Sequence, residues 1–382
     1  MSEDTKATLD ALYAFGTEFR SVSTGMAIHC EQLRKAAGVI DARNSGTTIR
    51  LMTGIASLLP SETTLTGDES LIRRPMGPLA EALTELGARV HYLGKSGCPP
   101  LRISGPLTGD HAEIKADVSS QFISSLLIAC TQKPGDTQLN LKGSLRSKPY
   151  VGITLDLLDA FGARVDQARG EFHIPGGQQL SLESYSVPGD YSSGAFPLTA
   201  AAVTGGDVTV RNLSSSSPQG DKGIVDVLSN FGAHVTVKED SVRVVAETAN
   251  LHGCEVDVWD TPDIFPVVAV VGAVANGRTV IRGGENLRHK ESDRIATTTA
   301  FLKKMGADIE ATDDGCVIKG GPRLHGADVT TEGDHRIFMA GAVAGLAATG
   351  DTVIHDNDSF KVSYPGFLRD MHQLGCRIRV RR

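Results

Sequence analysis

The densest chemical signal in the chain is ENLRHKESDR at 285–294, where Arg288, Lys290 and Arg294 are interleaved with carboxylates that include Glu291. A solvated face is the ordinary meaning of such a run. This one follows the strand-like TVIRGG and leads into the helix-like IATTTAFLKKMG, which is where an active-site helix would begin. The four-residue spacing puts Lys290 and Arg294 on one helical face, with Glu291 beside them as a proton-transfer group. Asp263, which opens another apolar stretch behind WDTP, supplies a second carboxylate. Two carboxylates among lysines and arginines suit an anionic substrate on which a proton must move.

Four further helix starts carry polar groups: NSGTT at 44–48, SSQ at 119–121, DYSS at 190–193 and DHR at 334–336. Taken singly, each is a helix cap. Several converging on one place would bind phosphate and carboxylate, because helix N-termini present free N–H groups and a positive potential. The stretches they open, 46–59, 119–131, 192–205 and 335–350, together with 262–277, are apolar nearly all round and rich in small residues. Such helices are buried on every side, so they are expected inside each domain with sheets outside.

A repeat positions these elements. A helix-like stretch closing on an apolar residue and glycine occurs six times, at Gly16, Gly87, Gly162, Gly232, Gly306 and Gly375, with spacings of 71, 75, 70, 74 and 69 residues. Each glycine is expected in the left-handed cap position, with an alternating strand after it. Five units have roughly 55 to 60 residues ahead of the ending and the first has only 13, so the chain is expected to lack the front of its first unit, about 50 residues before Ser2. The 382 residues imply two domains of three units each, 1–188 and 189–382. A crossover is expected near Gly177 and VPGD at 187–190, built as a hinge of closely spaced strands.

Composition narrows the function. Lys and Arg number 38 against 45 Asp and Glu, so no strong basic field exists to hold a nucleic-acid backbone. The longest apolar run, at 264–275, is too short to span a bilayer, and no signal peptide is read. A cytoplasmic location is expected. The six cysteines show no metal-ligand spacing and are expected to be reduced and mostly buried.

The same motifs resemble, in order and along the chain from Ser2, the 5-enolpyruvylshikimate-3-phosphate synthase family. They are SEDTKATLDAL (2–12), NSGTTIR (44–50), RRPMGPL (73–79), VSSQF (118–122), SKPY (147–150), GDYSSGAF (189–196), TPDIFP (261–266), LRHKESDR (287–294) and GDHR (333–336). The resemblance implies an α/β fold of two lobes, each a threefold arrangement of βαβαββ units with buried helices and outer sheets, and substrate entering between the lobes. It implies transfer of the enolpyruvyl group of phosphoenolpyruvate to the 5-hydroxyl of shikimate 3-phosphate, with loss of phosphate, in a monomer that needs no cofactor or metal. Ser119, Ser120, Gln121, Ser147, Tyr150 and Asn286 would hold shikimate 3-phosphate. Asn44, Gly46, Arg74, Arg294 and Arg336 would hold phosphoenolpyruvate, with Lys290 neutralising bound anions. Asp263 would deprotonate the 5-hydroxyl, and Glu291 would move the proton on the methyl carbon. Gly46 matches the glycine that leaves room for the inhibitor glyphosate.

Two departures from the family pattern stand out. The P-G-S-K-S-x-x-x-R segment is absent, and with it one sheet is expected to show an unpaired edge. In SFKVSYPGF (359–367) the family's lysine position falls on Val362, with Lys361 one place earlier. A catalytically impaired or non-catalytic homologue that binds shikimate 3-phosphate is therefore the alternative to the synthase. The related transferase acting on UDP-N-acetylglucosamine is a minor alternative, because its loop cysteine has no counterpart in GDESLIRRP at 67–75.

Overall fold

The computed structural model describes residues 1–145, 147–321, 323–356 and 358–380. The chain forms two compact units, Met1–Tyr185 and Ser186–Arg382, each around its own apolar core. No strand or helix lies between Ile174 and Tyr191, so the joining segment is irregular backbone and not the expected hinge of paired strands.

Three four-stranded sheets share one plan. In each, the first strand runs parallel to the second, the second pairs antiparallel with the fourth, and the fourth pairs antiparallel with the third. The first pair of strands is joined by an apolar helix: Gly46–Ala56, Ser120–Gln132 or Phe265–Val274. An amphipathic helix then leads through its glycine to the antiparallel pair. Parallel neighbours need such a crossover, whereas the antiparallel pair needs only a tight turn. The apolar helices are interior: of the ten residues of Phe265–Val274 nine are buried, and of the fourteen of Tyr191–Thr204 twelve are buried, so neither has a solvent face to mark with charge.

All six repeat glycines adopt positive φ, between +82° and +101°. A side chain would be strained there, which is why glycine recurs at the period. The strand expected after Gly375 does not form. Asp328–Thr330 and Val353–His355 make a two-stranded parallel sheet, and Arg377–Val380 joins no ladder among the described residues. Alternation alone does not make a strand, because the backbone donors need a partner row.

Two packing details fix the sheets against the interior helices. In the first unit Lys133 is 1% exposed, and its ammonium donates to the carbonyls of Pro134, Gly135 and Asp136 at 3.1, 2.8 and 3.1 Å. The charge is thus spent on closing the turn after the helix Ser120–Gln132. In the second unit, a Cβ on Gly320 would lie 1.9 Å from the Ala275 carbonyl oxygen and 2.4 Å from that of Gly272, so strand Cys316–Gly320 can lie against the end of helix Phe265–Val274 only as glycine. Gly320→Ala is expected to destabilise the protein by about 1–3 kcal/mol or more, as overpacking does. Urea unfolding checks this, and an unchanged midpoint would contradict the close approach.

Candidate active site

In the first unit the helix Gly46–Ala56 begins at Ser45, whose hydroxyl accepts from the Thr48 N–H at 3.2 Å. Arg74 is 7% exposed and stands at the end of the short turn Leu71–Arg73. Its guanidinium donates to the Asn44 Oδ1 at 3.0 Å and to the Ser70 hydroxyl at 3.2 Å. A Cβ on Gly46 would come within 3.2 Å of an Arg74 nitrogen and 3.6 Å of an Arg50 nitrogen. Two guanidiniums and a helix N-terminus therefore meet at the one residue that has no side chain.

Arg50 was part of a sequence motif without a role of its own, and it proves to be the link between two helix starts. It reaches across to the Ser119 hydroxyl at 3.4 Å and the Gln121 side-chain oxygen Oε1, and lies over the Phe122 ring at 5.2 Å from its centre. Gln121 in turn donates to the Thr47 hydroxyl at 2.6 Å. Ser119 caps the helix Ser120–Gln132, and Ser120 is buried at its first position. Ser147, at the head of the helix Lys148–Ala160, is in the left-handed region at φ +52° and makes no side-chain cap bond. Non-glycine residues held there cost about 1–3 kcal/mol and concentrate at functional sites. Tyr150 lies in the first turn of the same helix, which is tied to the Ser120 helix by Ser124 and Thr154 at 2.7 Å.

The second unit brings Asp263, Lys290, Glu291, Arg294 and Arg336 into one largely buried cluster. Arg294 is only 1% exposed and donates to Asp263 at 2.7 Å, Glu291 at 2.6 Å and Asp334 at 2.8 Å. Asp263 also receives Lys290 at 3.3 Å and Arg336 at 3.2 Å. Asp334 accepts from Ser292 at 3.0 Å and caps the helix His335–Ala347 through the Arg336 N–H at 2.9 Å. Lys290 and Arg294 do not share a helical face, contrary to the expectation from their spacing. Lys290 lies before the helix, in extended backbone, and the helix starts only at Arg294 behind its cap Asp293. The two cations meet because both reach back to the turn Pro262–Ile264 that carries Asp263.

Two neighbours were not singled out from the sequence. Asp221 is 1% exposed and accepts a short hydrogen bond from the Ser192 hydroxyl. The QGD that contains it reads as a turn, and only burial marks it out. His335, 5% exposed, adjoins the cap Asp334. Lys361 sits on a short turn, Ser359–Val362, and not on a strand. Its ammonium pairs with Asp358 and lies 5.8 Å from the centre of the Phe360 ring. Asn286 lies in the turn Glu285–His289 with its side-chain carbonyl buried and without a hydrogen-bond partner among the described residues. Of the six cysteines three are buried, two are half-buried and Cys30 is exposed, so burial is less general than expected. Among the described residues no group of His, Cys, Asp and Glu gathers as a metal site, and no helix is long and apolar enough to cross a membrane.

The electrostatics follow from counting charges. Asp263, Glu291 and Asp334 balance Lys290, Arg294 and Arg336. Burial opposes the charged form of Asp263, but Arg336, Lys290 and Arg294 outweigh it and hold the carboxyl well below the ordinary range. A fourth carboxylate would leave the cluster with a net negative charge. Asp221 accordingly retains its proton longer: burial first, then the nearby Asp263, push it up to about 6. Burial also pushes His335 down to about 4, so it stays neutral beside the arginines.

These two shifts oppose each other in the pH dependence of stability. Between about pH 4 and 6 folded Asp221 keeps a proton that the unfolded chain has lost, so its contribution falls as pH rises. Over the same range the unfolded chain protonates a histidine that folded His335 leaves neutral, so that contribution rises as pH rises. The slopes, each about 1.4 kcal/mol per pH unit, nearly cancel. Asp221→Asn is expected to leave a stability that climbs with pH across this window, and His335→Gln one that declines. Urea unfolding at stepped pH measures both, and parallel curves for the two variants would refute the assignment.

Comparison with known proteins agrees with this geometry. The family model described as EPSP synthase (3-phosphoshikimate 1-carboxyvinyltransferase) matches residues 1–371. The chain is 45% identical over 382 residues to the 3-phosphoshikimate 1-carboxyvinyltransferase of Methanocella arvoryzae, covering all of this chain and 90% of that protein. It is 46% identical over 382 residues to the one from Methanothrix thermoacetophila, with the same coverage. Among solved structures, EPSP synthase from Acinetobacter baumannii superposes with a TM-score of 0.81 at 30% identity, over 98% of this chain and 88% of that one. With the family's motifs in order and its two-domain α/β architecture, this chain belongs to the EPSP synthase family.

Proposed function

We propose that this protein transfers the enolpyruvyl group of phosphoenolpyruvate to the 5-hydroxyl of shikimate 3-phosphate, with Asp263 as the base and Glu291 moving the proton on carbon. The observation that carries the reading is the Asp263 carboxylate, kept ionised by three cations in a largely buried cluster. A purely binding role needs no such group. The hydroxyl oxygen adds to the substituted alkene carbon while the methylene carbon gains a proton. The carbon–oxygen bond to phosphate then breaks and the new methyl carbon returns a proton. Glu291, side chain 16% exposed and tied to Arg294, is the group assigned to that second proton.

Ser119, Ser120, Gln121, Ser147, Tyr150 and Asn286 are assigned to shikimate 3-phosphate. The helix starts carrying Ser119 and Ser147 bear no carboxylate cap, and a phosphate there meets N–H groups without a competing charge. Asn44, Gly46, Arg74, Arg294 and Arg336 are assigned to phosphoenolpyruvate, with Lys290 and Lys361 as further cations. In the cluster Arg336 and Lys290 point to Asp263. A substrate carboxylate or phosphate competes for the same cations, and as they turn to the ligand, the Asp263 charge loses stabilisation and its basicity rises. Binding thus prepares the base. A cytoplasmic monomer completes the reading, and the exposed Cys30 suits a reducing compartment.

Phosphate release from phosphoenolpyruvate, measured with and without shikimate 3-phosphate, tests the reaction. Release that depends on the acceptor is expected, and Asp263→Asn should lower kcat by about 10²–10⁴ while shikimate 3-phosphate still binds. Calorimetric binding of shikimate 3-phosphate with no release would favour the homologue that binds without transferring. Gly46→Ala gives a separate check. Its methyl group would press on Arg74 from 3.2 Å, so glyphosate should be weakened more than phosphoenolpyruvate in steady-state inhibition, and equal weakening would contradict the crowding.

A further inference from the structure

We infer that Asp68 is the positioning residue of the first unit's anion site, setting the direction of the Asn44 amide and closing the turn that delivers Arg74. The inference rests on the reading that Arg74 holds phosphoenolpyruvate. Asp68 lies in the loop after strand Thr63–Thr66 and is itself exposed. One of its carboxylate oxygens accepts from the Asn44 amide nitrogen at 2.7 Å. An ionised carboxylate can only accept, so the Asn44 NH₂ must face Asp68 and its carbonyl is left for Arg74 at 3.0 Å. Were the amide reversed, its NH₂ would face a guanidinium that has only donors to offer.

The other carboxylate oxygen accepts from the backbone N–H groups of Ser70 and Leu71, at 3.1 and 2.8 Å. Those bonds start the turn Leu71–Arg73 that ends at Arg74. The main chain of Asp68 adds two more ties, donating to the Arg43 carbonyl at 2.7 Å and accepting from the Ile72 N–H at 3.0 Å. Asn44 and Ser70 both accept from Arg74, and Asp68 holds the first through its amide and the second through its backbone N–H. The loop therefore joins the strand end, the start of the Gly46 helix and the arginine through one carboxylate.

Asp68→Asn is the discriminating change, because it keeps size while offering an amide that can donate to Asn44 and so permit the reversed orientation. Asp68→Glu keeps an acceptor-only group. Losing one charge-assisted support is expected to raise the KM for phosphoenolpyruvate about tenfold in Asp68→Asn, with kcat and the KM for shikimate 3-phosphate within about twofold. Asp68→Glu should recover most of the loss. An equal fall in all parameters with no recovery by glutamate would make Asp68 a merely structural residue and overturn the inference, as would an unchanged KM in Asp68→Asn. Arg74→Ala separates the two levels. If it leaves the KM for phosphoenolpyruvate unchanged, the reading of Arg74 falls and this inference with it. If it raises that KM and Asp68→Asn does not, only the inference on Asp68 falls.

Discussion

A guanidinium with 1% of its surface in water cannot stand without counter-charges, and the second unit is arranged around meeting that demand for Arg294. Taking one such ion out of water costs several kcal/mol, and pairing offsets it only with good geometry. The three carboxylates come from three places: the turn before helix Phe265–Val274, the segment leading into helix Arg294–Lys304, and the cap of helix His335–Ala347. Removing one partner would strand the others, at a cost of about 3–5 kcal/mol. The helix starts are therefore held in mutual register by the same bonds that make Asp263 an ionised carboxylate.

The first unit uses the same architecture with different chemistry. Its helix starts at Gly46 and Ser120 are capped by neutral serines, and Arg50 and Arg74 beside them donate to amides and hydroxyls. The starts at Tyr191, Arg294 and His335 in the second unit are capped by aspartates. One unit leaves its positive potential open to a ligand, whereas the other has already answered it with its own carboxylates and keeps proton-accepting groups close by.

Much of this was legible in the sequence because it depends on local rules. The repeat glycines had to be glycine at positive φ, and the apolar helices announced their burial by lacking a polar face. Asp263, Glu291, Arg294 and Arg336 were visible as charges at the ends of such helices. Asp221 was not, because a QGD turn looks the same whether it faces water or a neighbouring carboxylate. Asp68 was hidden for a similar reason, since its effect passes through the orientation of one amide. The route by which Lys290 reaches Asp263 is hidden too, because residues that precede a helix carry the same spacing as residues inside it. The tail after Gly375 shows that alternation is a statement about side chains, and it forms no ladder among the described residues because a ladder needs a second row of backbone groups.

The contrast in capping has a thermodynamic consequence beyond the reaction. Any small inorganic anion that settles on the open helix starts of the first unit binds the folded form and not the unfolded chain, and so adds stability in proportion to the logarithm of its concentration. The second unit, internally neutralised, has much less to gain. Phosphate or sulfate should therefore act on the stability of the first unit more than on that of the second.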